Sequence, residues 1–439
     1  MRRIFSQYAY ASGPRDGCWW DETTEATARP ALLGDAKYDV AIVGAGFTGL
    51  SAALHLARRG ARVVVLDAIA AGWGASGRNG GFCCLGGSMR SDATLDQRYG
   101  YSARRAWRTT ERVAVELVEQ LIDDLSIDVD RHSHGETCLA HRPRAFENFE
   151  GEARAAYENY GVEADILPPS DLASAGLSGP FHGALTIPIG FGLNPRKLLD
   201  GLINACLELG VAIHDNSPAL SITSGAIKTP NGAVCAEQIV VATNGYSSED
   251  VPAWMAARYM PAQSTVVVTR PLTDEDLQRQ GWSSDQMAYD TRRLLHYFRL
   301  MPDRRFLFGM RGGLLSGRKA ETAARSSVMR HFHSMFPAWS DVDITHAWSG
   351  LVCLTRDRVP FVGAVPGMSG VLAGFAYHGN GVAMGTYAGH VLAALASGKR
   401  PDHYPDVMST AATRFPFGRF RRLIMPSVYT GFRISDALP

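Results

Sequence analysis

The most constraining feature of the chain is a short apolar strand, Asp39 to Val43, that runs directly into Gly44-Ala45-Gly46-Phe47-Thr48-Gly49. An Ala/Leu-rich helical segment, Ser51 to Arg59, comes next, and a second apolar strand, Ala61 to Leu66, ends in Asp67. A dinucleotide site needs its parts in this order. Gly44 allows the tight turn, Gly46 lets backbone approach a pyrophosphate, and Gly49 lets helix and strand pack closely. The phosphates then meet a helix N-terminus, where free N–H groups and the dipole favour negative charge. Asp67 follows Gly44 by 23 residues, placing a carboxylate where it bonds ribose hydroxyls and repels a 2′-phosphate. A Gly-rich turn in some other α/β protein is the alternative, and the full strand–turn–helix–strand–acid order disfavours it.

The chain beyond this fingerprint decides which dinucleotide fits. After Asp67 comes a dense glycine loop, Ala71-Gly72-Trp73-Gly74-Ala75-Ser76-Gly77-Arg78-Asn79-Gly80-Gly81. Residues 101–130 carry helical periodicity at Ala106, Val113, Leu117, Val118, Leu121 and Leu125. A helix is expected from Pro195 to Leu209, then a strand at Gly210 to Ile213. Ala219–Thr223 and Ala226–Thr229 flank a turn, a second turn at Asn231-Gly232 leads into Ala233-Val234, and a buried strand covers Gln238 to Ala242. Residues 251–345 alternate strands such as Ser264–Thr269 and Arg305–Phe308 with one helix around Ala323 to Phe336. A last strand, Gly370 to Gly374, enters Tyr377-His378-Gly379-Asn380-Gly381 and a helix from Val382 to Ala396. Nucleotide-type pieces therefore return three times. One βαβ unit would suit a nicotinamide dehydrogenase; three returns to one sheet suit an FAD-binding domain with a substrate domain threaded through it.

At 439 residues the chain is too long for one ordinary core. The expected division is a 1–36 arm containing Trp19-Trp20, a discontinuous nucleotide unit (37–90, 191–250, 345–400), a substrate unit (91–190, 251–344) and a 401–439 tail wrapping the protein's own surface. A formal net charge of +1 gives no case for nucleic acid or an anionic membrane as partner. Seven cysteines without C-x-x-C or His/Cys clustering imply neither a metal site nor a disulfide framework, and Cys83-Cys84 are expected to be buried, inert thiols. No run of about 18 apolar residues occurs, and basic Met1-Arg2-Arg3 has no apolar core behind it. The expected location is the cytoplasm.

Val40–Leu50, Asp67, Gly72–Gly81, Ala242–Tyr246 and the closing glycine loop together resemble the D-amino-acid-oxidase-like FAD-dependent oxidoreductases. Ser6–Ala11, Trp348-Ser349-Gly350, Thr355–Pro360 and His403-Tyr404-Pro405 resemble the branch that contains the gamma-glutamylputrescine oxidoreductases. The resemblance implies an α/β fold: a Rossmann-like FAD-binding domain of glutathione-reductase type, with an inserted α+β substrate domain on a mixed or antiparallel sheet. It implies that Gly44, Gly46, Phe47, Thr48 and Gly49 hold the FAD pyrophosphate, and that Asp67 and Ala68 meet the adenosine ribose. Gly74, Ala75, Ser76, Arg78, Asn79, Gly80 and Gly81 would line the flavin side, with Ala219 at the adenine. Ala242, Thr243 and Asn244 would close over the nucleotide, and Gly379, Asn380, Gly381 and Val382 would face the flavin's carbonyl edge. The flavin is expected to be non-covalent: Cys353 aligns a few residues off the position some relatives use, and no histidine stands in Gly72–Gly81. Several oxidase relatives place a lysine near flavin N5, whereas Phe306–Arg311 offers none, so oxygen or a quinone-type carrier both stand as acceptor.

The implied chemistry is oxidation of a C–N bond in an amine or amino acid: hydride passes to flavin N5 and the imine is hydrolysed. The amine must be neutral, and an alkyl ammonium with a pKa of about 10 is neutral at the roughly one-in-a-thousand level at pH 7. A partly apolar pocket would lower that pKa. His296 and Tyr297 are candidates to face the flavin, or form a buried structural pair. Arg311 would anchor a carboxylate with its fork, or join a surface ion pair. Tyr377 and His378 would touch substrate or pack the loop, and Asp357 would fix the turn before Pro360. The expected substrate is an amine bearing a carboxylate, such as a gamma-glutamyl polyamine, with a D-amino-acid or N-methyl-amino-acid dehydrogenase as the alternative.

Overall fold

The computed structural model describes residues 1–437 apart from 26 and 314. Residues 26, 314, 438 and 439, within the expected arm, substrate unit and tail, lie outside the described residues. Two large sheets organise the chain.

The first sheet runs in the order Phe361–Ala364, Val371–Phe375, Gly232–Val241, Ala36–Val43, Val63–Leu66, Ala212–His214. All but the first of these six are parallel, in a register that sets Val40 opposite both Gln238 and Val63, and the antiparallel strands Ala226–Thr229 and Ser221–Thr223 extend the sheet from Gly232–Val241. Phe361–Ala364 caps one edge antiparallel. Apolar runs such as Val63–Leu66, buried at every position, are what a parallel sheet covered on both faces selects. The helices Phe47–Ala57, Pro195–Glu208 and Ala383–Ala396 cover one face and share its core.

Local differences from the sequence reading have physical causes. The first helix starts at Phe47, not Ser51, because Gly46 is the last extended residue; Gly49 therefore sits in the first turn. The expected separate segments at Ala233-Val234 and Gln238–Ala242 are one strand, Gly232–Val241, because it pairs with Ala36–Val43 along most of its length. In the helix Tyr101–Asp124 the buried stripe runs through Arg104, Trp107, Glu111, Ala114, Val118 and Leu121, and Ala106 is exposed. The stripe includes charged groups that periodicity of apolar residues passes over: Glu111 accepts from Arg108 Nη1 at 2.7 Å and from Tyr160 Oη at 2.8 Å.

The second sheet runs Ile344–Leu354, Met260–Thr269, Phe306–Arg311, His296–Leu300, Met287–Asp290, Glu136–Leu139, Ala184–Ile187, Asp165–Leu167. It is antiparallel except where Met287–Asp290 lies parallel to Glu136–Leu139. One face packs Phe298, Phe306 and Phe308 against Phe332 of the helix Arg318–Met335 and against Phe336 and Trp339 just after it. Two expected boundaries shift. Residues 345–354, expected in the nucleotide unit, pair with Met260–Thr269, and Trp348 packs with Trp20, Val266 and Leu307. The helix within 91–190, expected in the substrate unit, packs through Trp107 and Val118 into the core of the first sheet.

The arm is fastened where its tryptophans meet the glycine loop: Trp20 Nε1 donates to Asn79 O at 2.8 Å. In the tail, Arg421 is fully buried and pairs with Glu249 at 2.6 Å. No described helix is long and apolar enough to cross a membrane.

Candidate active site

A cavity of about 480 Å³ lies where the two sheets meet. The sequence-predicted residues Gly44, Gly46, Phe47, Thr48, Asp67, Ala68, Gly74, Ala75, Ser76, Arg78, Asn79, Gly80, Ala219, Ala242, Thr243, Asn244 and Gly379 to Val382 all line it. Gly49 and Gly81 lie behind this lining.

The fingerprint end is shaped by backbone contact. Gly44 has φ +104°, and an ideal Cβ there would stand 2.8 Å from Ala242 O. A Cβ on Gly49 would stand 1.9 Å from Gly44 O, so only glycine lets the first helix descend on the turn. Gly81 has φ +73° and presses on Leu193 O in the same way. The helix start carries no acidic residue in its first turn, which leaves its positive end unneutralised. Ser76 Oγ accepts from Phe47 N at 3.0 Å and so pins the glycine loop to that helix start. Asp67 accepts from Ala45 N at 2.9 Å and Ile69 N at 3.0 Å; burial, the larger effect, raises its carboxyl while these bonds oppose the rise. Such a cradle, closed to any Cβ and open to an anion, fits a dinucleotide pyrophosphate.

Arg78 and Asn79 act through the loop itself. Arg78 is buried, donates to Trp73 O and Ser349 O, and lies 4.3 Å over the Trp73 ring. Asn79 Nδ2 donates to Ser76 O at 2.8 Å and its Oδ1 accepts from Gly81 N at 2.8 Å. Sequence reasoning missed Arg3, an arm residue that lines the cavity and whose buried Nε has no hydrogen-bond partner among the described residues.

Period-2 alternation sorts the opposite wall. Tyr297 sits opposite Tyr289 and Gly309, two residues before Arg311, so Tyr289, Tyr297 and Arg311 share the cavity face. Gly309 makes room for the tyrosine, since a Cβ there would stand 2.1 Å from Tyr297 Cζ. Ser264, opposite Arg311, hydrogen-bonds Tyr297 Oη at 3.0 Å. His296 points the other way. It stacks on Phe308 and bonds Asp290 at 2.6 Å and His331 at 2.9 Å, which corrects the expectation that it faces the flavin.

The last loop meets this wall. Arg311 Nη2 donates to His378 O at 2.9 Å, and no carboxylate pairs with Arg311 among the described residues. His378 has both ring nitrogens engaged: Nδ1 on Gly87 O at 2.8 Å and Nε2 accepting from Thr355 N at 3.3 Å. Burial pushes its pKa down to about 4, so it is a neutral strut. Tyr377 lines the cavity and accepts from Thr48 Oγ1 at 3.0 Å. Asp357 accepts from Thr413 N at 2.7 Å and pairs with Arg98, a turn-fixing role away from the lining. A second missed residue is Glu136, which lines the cavity from the strand Glu136–Leu139 and whose carboxyl burial pushes up to about 8. Its four-residue strand has no pattern that marks a site.

The family model for FAD dependent oxidoreductases matches residues 39–395. The chain is 32% identical to gamma-glutamylputrescine oxidoreductase of Escherichia coli over 397 residues, covering 88% of this chain and 89% of that protein. It is 31% identical to a Rhizobium meliloti protein named "Probable oxidoreductase OrdL", covering 95% and 97% respectively. Among solved structures, glycine oxidase from Geobacillus kaustophilus superposes with a TM-score of 0.69 at 20% identity, covering 87% of this chain and 99% of that one, which shows the shared fold. With the family model spanning both sheets and a cradle that accepts a pyrophosphate, the chain belongs to the FAD dependent oxidoreductase (DAO) family and takes FAD as its cofactor.

Proposed function

We propose that the protein oxidises the C–N bond of an amine that carries a carboxylate, a gamma-glutamyl polyamine such as gamma-glutamylputrescine being the leading case. The observation that carries this reading is Arg311, a guanidinium aimed into the cavity with no carboxylate partner among the described residues. Burial lowers its pKa, but an arginine stays protonated at neutral pH. Its fork suits a bidentate carboxylate, and the His378 carbonyl holds one arm in place.

FAD, when bound, accepts the hydride from the carbon that bears nitrogen. The protein's part is to orient and to tune. Gly44, Gly46, Gly49 and the start of the first helix would hold the pyrophosphate, Asp67 the ribose, and Ser76 to Gly81 the flavin side. The N–H groups of Gly379 to Val382, at the start of the helix Ala383–Ala396, would favour negative charge developing beside them. Tyr289, Tyr297, Val266 and Leu295 give the amine an apolar wall, which favours its neutral, reactive form. Cys353 lines the cavity, but burial pushes its thiol up and away from the reactive thiolate, which supports a non-covalent flavin. The cytoplasm is the proposed location.

Anaerobic addition of gamma-glutamylputrescine to the yellow holoenzyme tests the reading. Bleaching is the expected result; a spectrum that stays yellow removes this substrate and moves the search to N-methyl and D-amino acids. A dehydrogenase passing electrons to a quinone or another carrier is the second reading. It is favoured by the absence of lysine from the described lining, and stoichiometric peroxide during aerobic turnover would count against it.

A further inference from the structure

Glu136 opens the strand Glu136–Leu139 and pairs with Met287 on one side and Ile187 on the other. Cys138, two residues on, lies opposite Tyr289, so Glu136 belongs to the same face as Tyr289, Tyr297 and Arg311. Its residue exposure is 7% and it lines the cavity. Among the described residues no lysine, arginine or histidine lies within ion-pairing distance of it. Its polar neighbour is the Cys84 thiol, whose sulfur accepts from Asn380 Nδ2 at 3.3 Å. A buried carboxyl without a cation is costly. Arg311 on the same face is its mirror image, a buried cation without an anion, and the two do not pair with each other. The cavity thus presents a buried guanidinium and, apart from it, a buried carboxyl that burial keeps largely protonated until a cation arrives, neither with an ionic partner among the described residues.

We infer that Glu136 is the recognition point for a protonated amino group of the substrate other than the one oxidised, so that the cavity selects carboxylated diamines over simple amino acids. The inference rests on the reading of Arg311 as carboxylate anchor and adds the cationic end. A carboxylate facing the reacting nitrogen would favour the charged form that cannot release hydride, which assigns Glu136 to a second nitrogen.

The groups facing Glu136 set the pH behaviour. Cys84 and Tyr289 are pushed well up by burial and do not titrate near neutrality. Glu111, the other nearby acid, is bonded to Arg108 and Tyr160. Glu136 alone in this group changes charge near pH 8. A cation held by it should therefore bind better as pH rises towards 8, until the ligand amine itself loses its proton near pH 10.

The test uses holoenzyme titrated with straight-chain carboxylic acids and with ω-amino acids of matching length, read by perturbation of the flavin absorbance. At one chain length the ω-amino acid should bind at least about tenfold tighter than its carboxylic acid. Glu136→Gln should abolish that preference and leave carboxylic-acid affinity within about twofold, while Glu136→Asp should keep part of the preference. In the wild type the preference should grow with pH, and this profile serves if Glu136→Gln fails to hold flavin. A preference absent at every length, unmoved by pH, or surviving Glu136→Gln overturns the inference. Carboxylic acids that do not perturb the flavin at all would instead sink the reading of Arg311.

Discussion

Arg311 lies so close over Gly379 that an ideal Cβ on the glycine would stand 2.1 Å from the guanidinium Nη2. The loop that opens the last helix and the cation of the second sheet are therefore in direct contact. Gly379 also has φ +114°, so any side chain there adds backbone strain. Gly379→Ala should displace the guanidinium and raise KM for a carboxylated amine by about tenfold while flavin is retained. Arg311→Gln should raise it further, by about thirtyfold or more, the scale of losing one partner of a buried charge pair. Steady-state kinetics on both variants, with flavin content measured alongside, check this; unchanged KM in Arg311→Gln would remove the carboxylate anchor.

The fingerprint makes a second prediction. At Gly49 a methyl group would meet Gly44 O at 1.9 Å, and both are backbone of the cradle. Gly49→Ala should cut FAD affinity by at least about tenfold, through movement of the helix start. Visible absorbance per protein after dialysis against limiting FAD reads the effect.

Burial holds several histidines neutral: His378, His132 and His331 are pushed down to about 4, and His55 to about 3. In the unfolded chain each takes a proton near its ordinary value of 6.5, so below that pH the unfolded state binds more protons than the native one. Stability should be fully present above pH 6.5 and fall as pH drops towards 4. His378 alone would contribute on the order of 3 kcal/mol to that loss. Thermal melts across this range should show the decline, and His378→Asn should flatten part of it.

Arg3 gives the fourth prediction. Its guanidinium packs 4.3 Å over the Tyr10 ring, and its buried Nε has no partner among the described residues, in a side chain that lines the cavity. Arg3→Ala should weaken FAD binding by about three- to tenfold, with little change in the melting temperature of flavin-free protein. Fluorescence titration with FAD checks it, and unchanged affinity would leave Arg3 a packing residue.

The cofactor half of the site is readable in the sequence because its logic is local. Turn glycines, the helix beyond them and Asp67 lie within one short stretch of chain, and each is required by backbone geometry. The opposite wall of the cavity, proposed to meet the substrate, is assembled across strands distant in sequence. Whether His296 or Tyr297 faces the cavity depends on the strand's phase, which adjacent aromatic residues leave undefined. Glu136 is invisible for the same reason: a carboxyl in a four-residue strand looks like any edge residue until Met287–Asp290 pairs beside it. Residues 345–354 read as part of the first sheet because they adjoin its last strands in sequence, whereas Trp348 has its partners, Trp20 and Val266, far away in the chain.

Glu136, Tyr289, Tyr297 and Arg311 come from four different strands of the second sheet, and none belongs to the glycine cradle of the first. Tyr297 and Arg311 nevertheless press on Gly80 and Gly379 of the loops beside them, which leaves Glu136 and Tyr289 as the positions of this wall to vary first. A library randomised at Glu136 and Tyr289 could be screened by colour for retained flavin and by amine for altered selectivity.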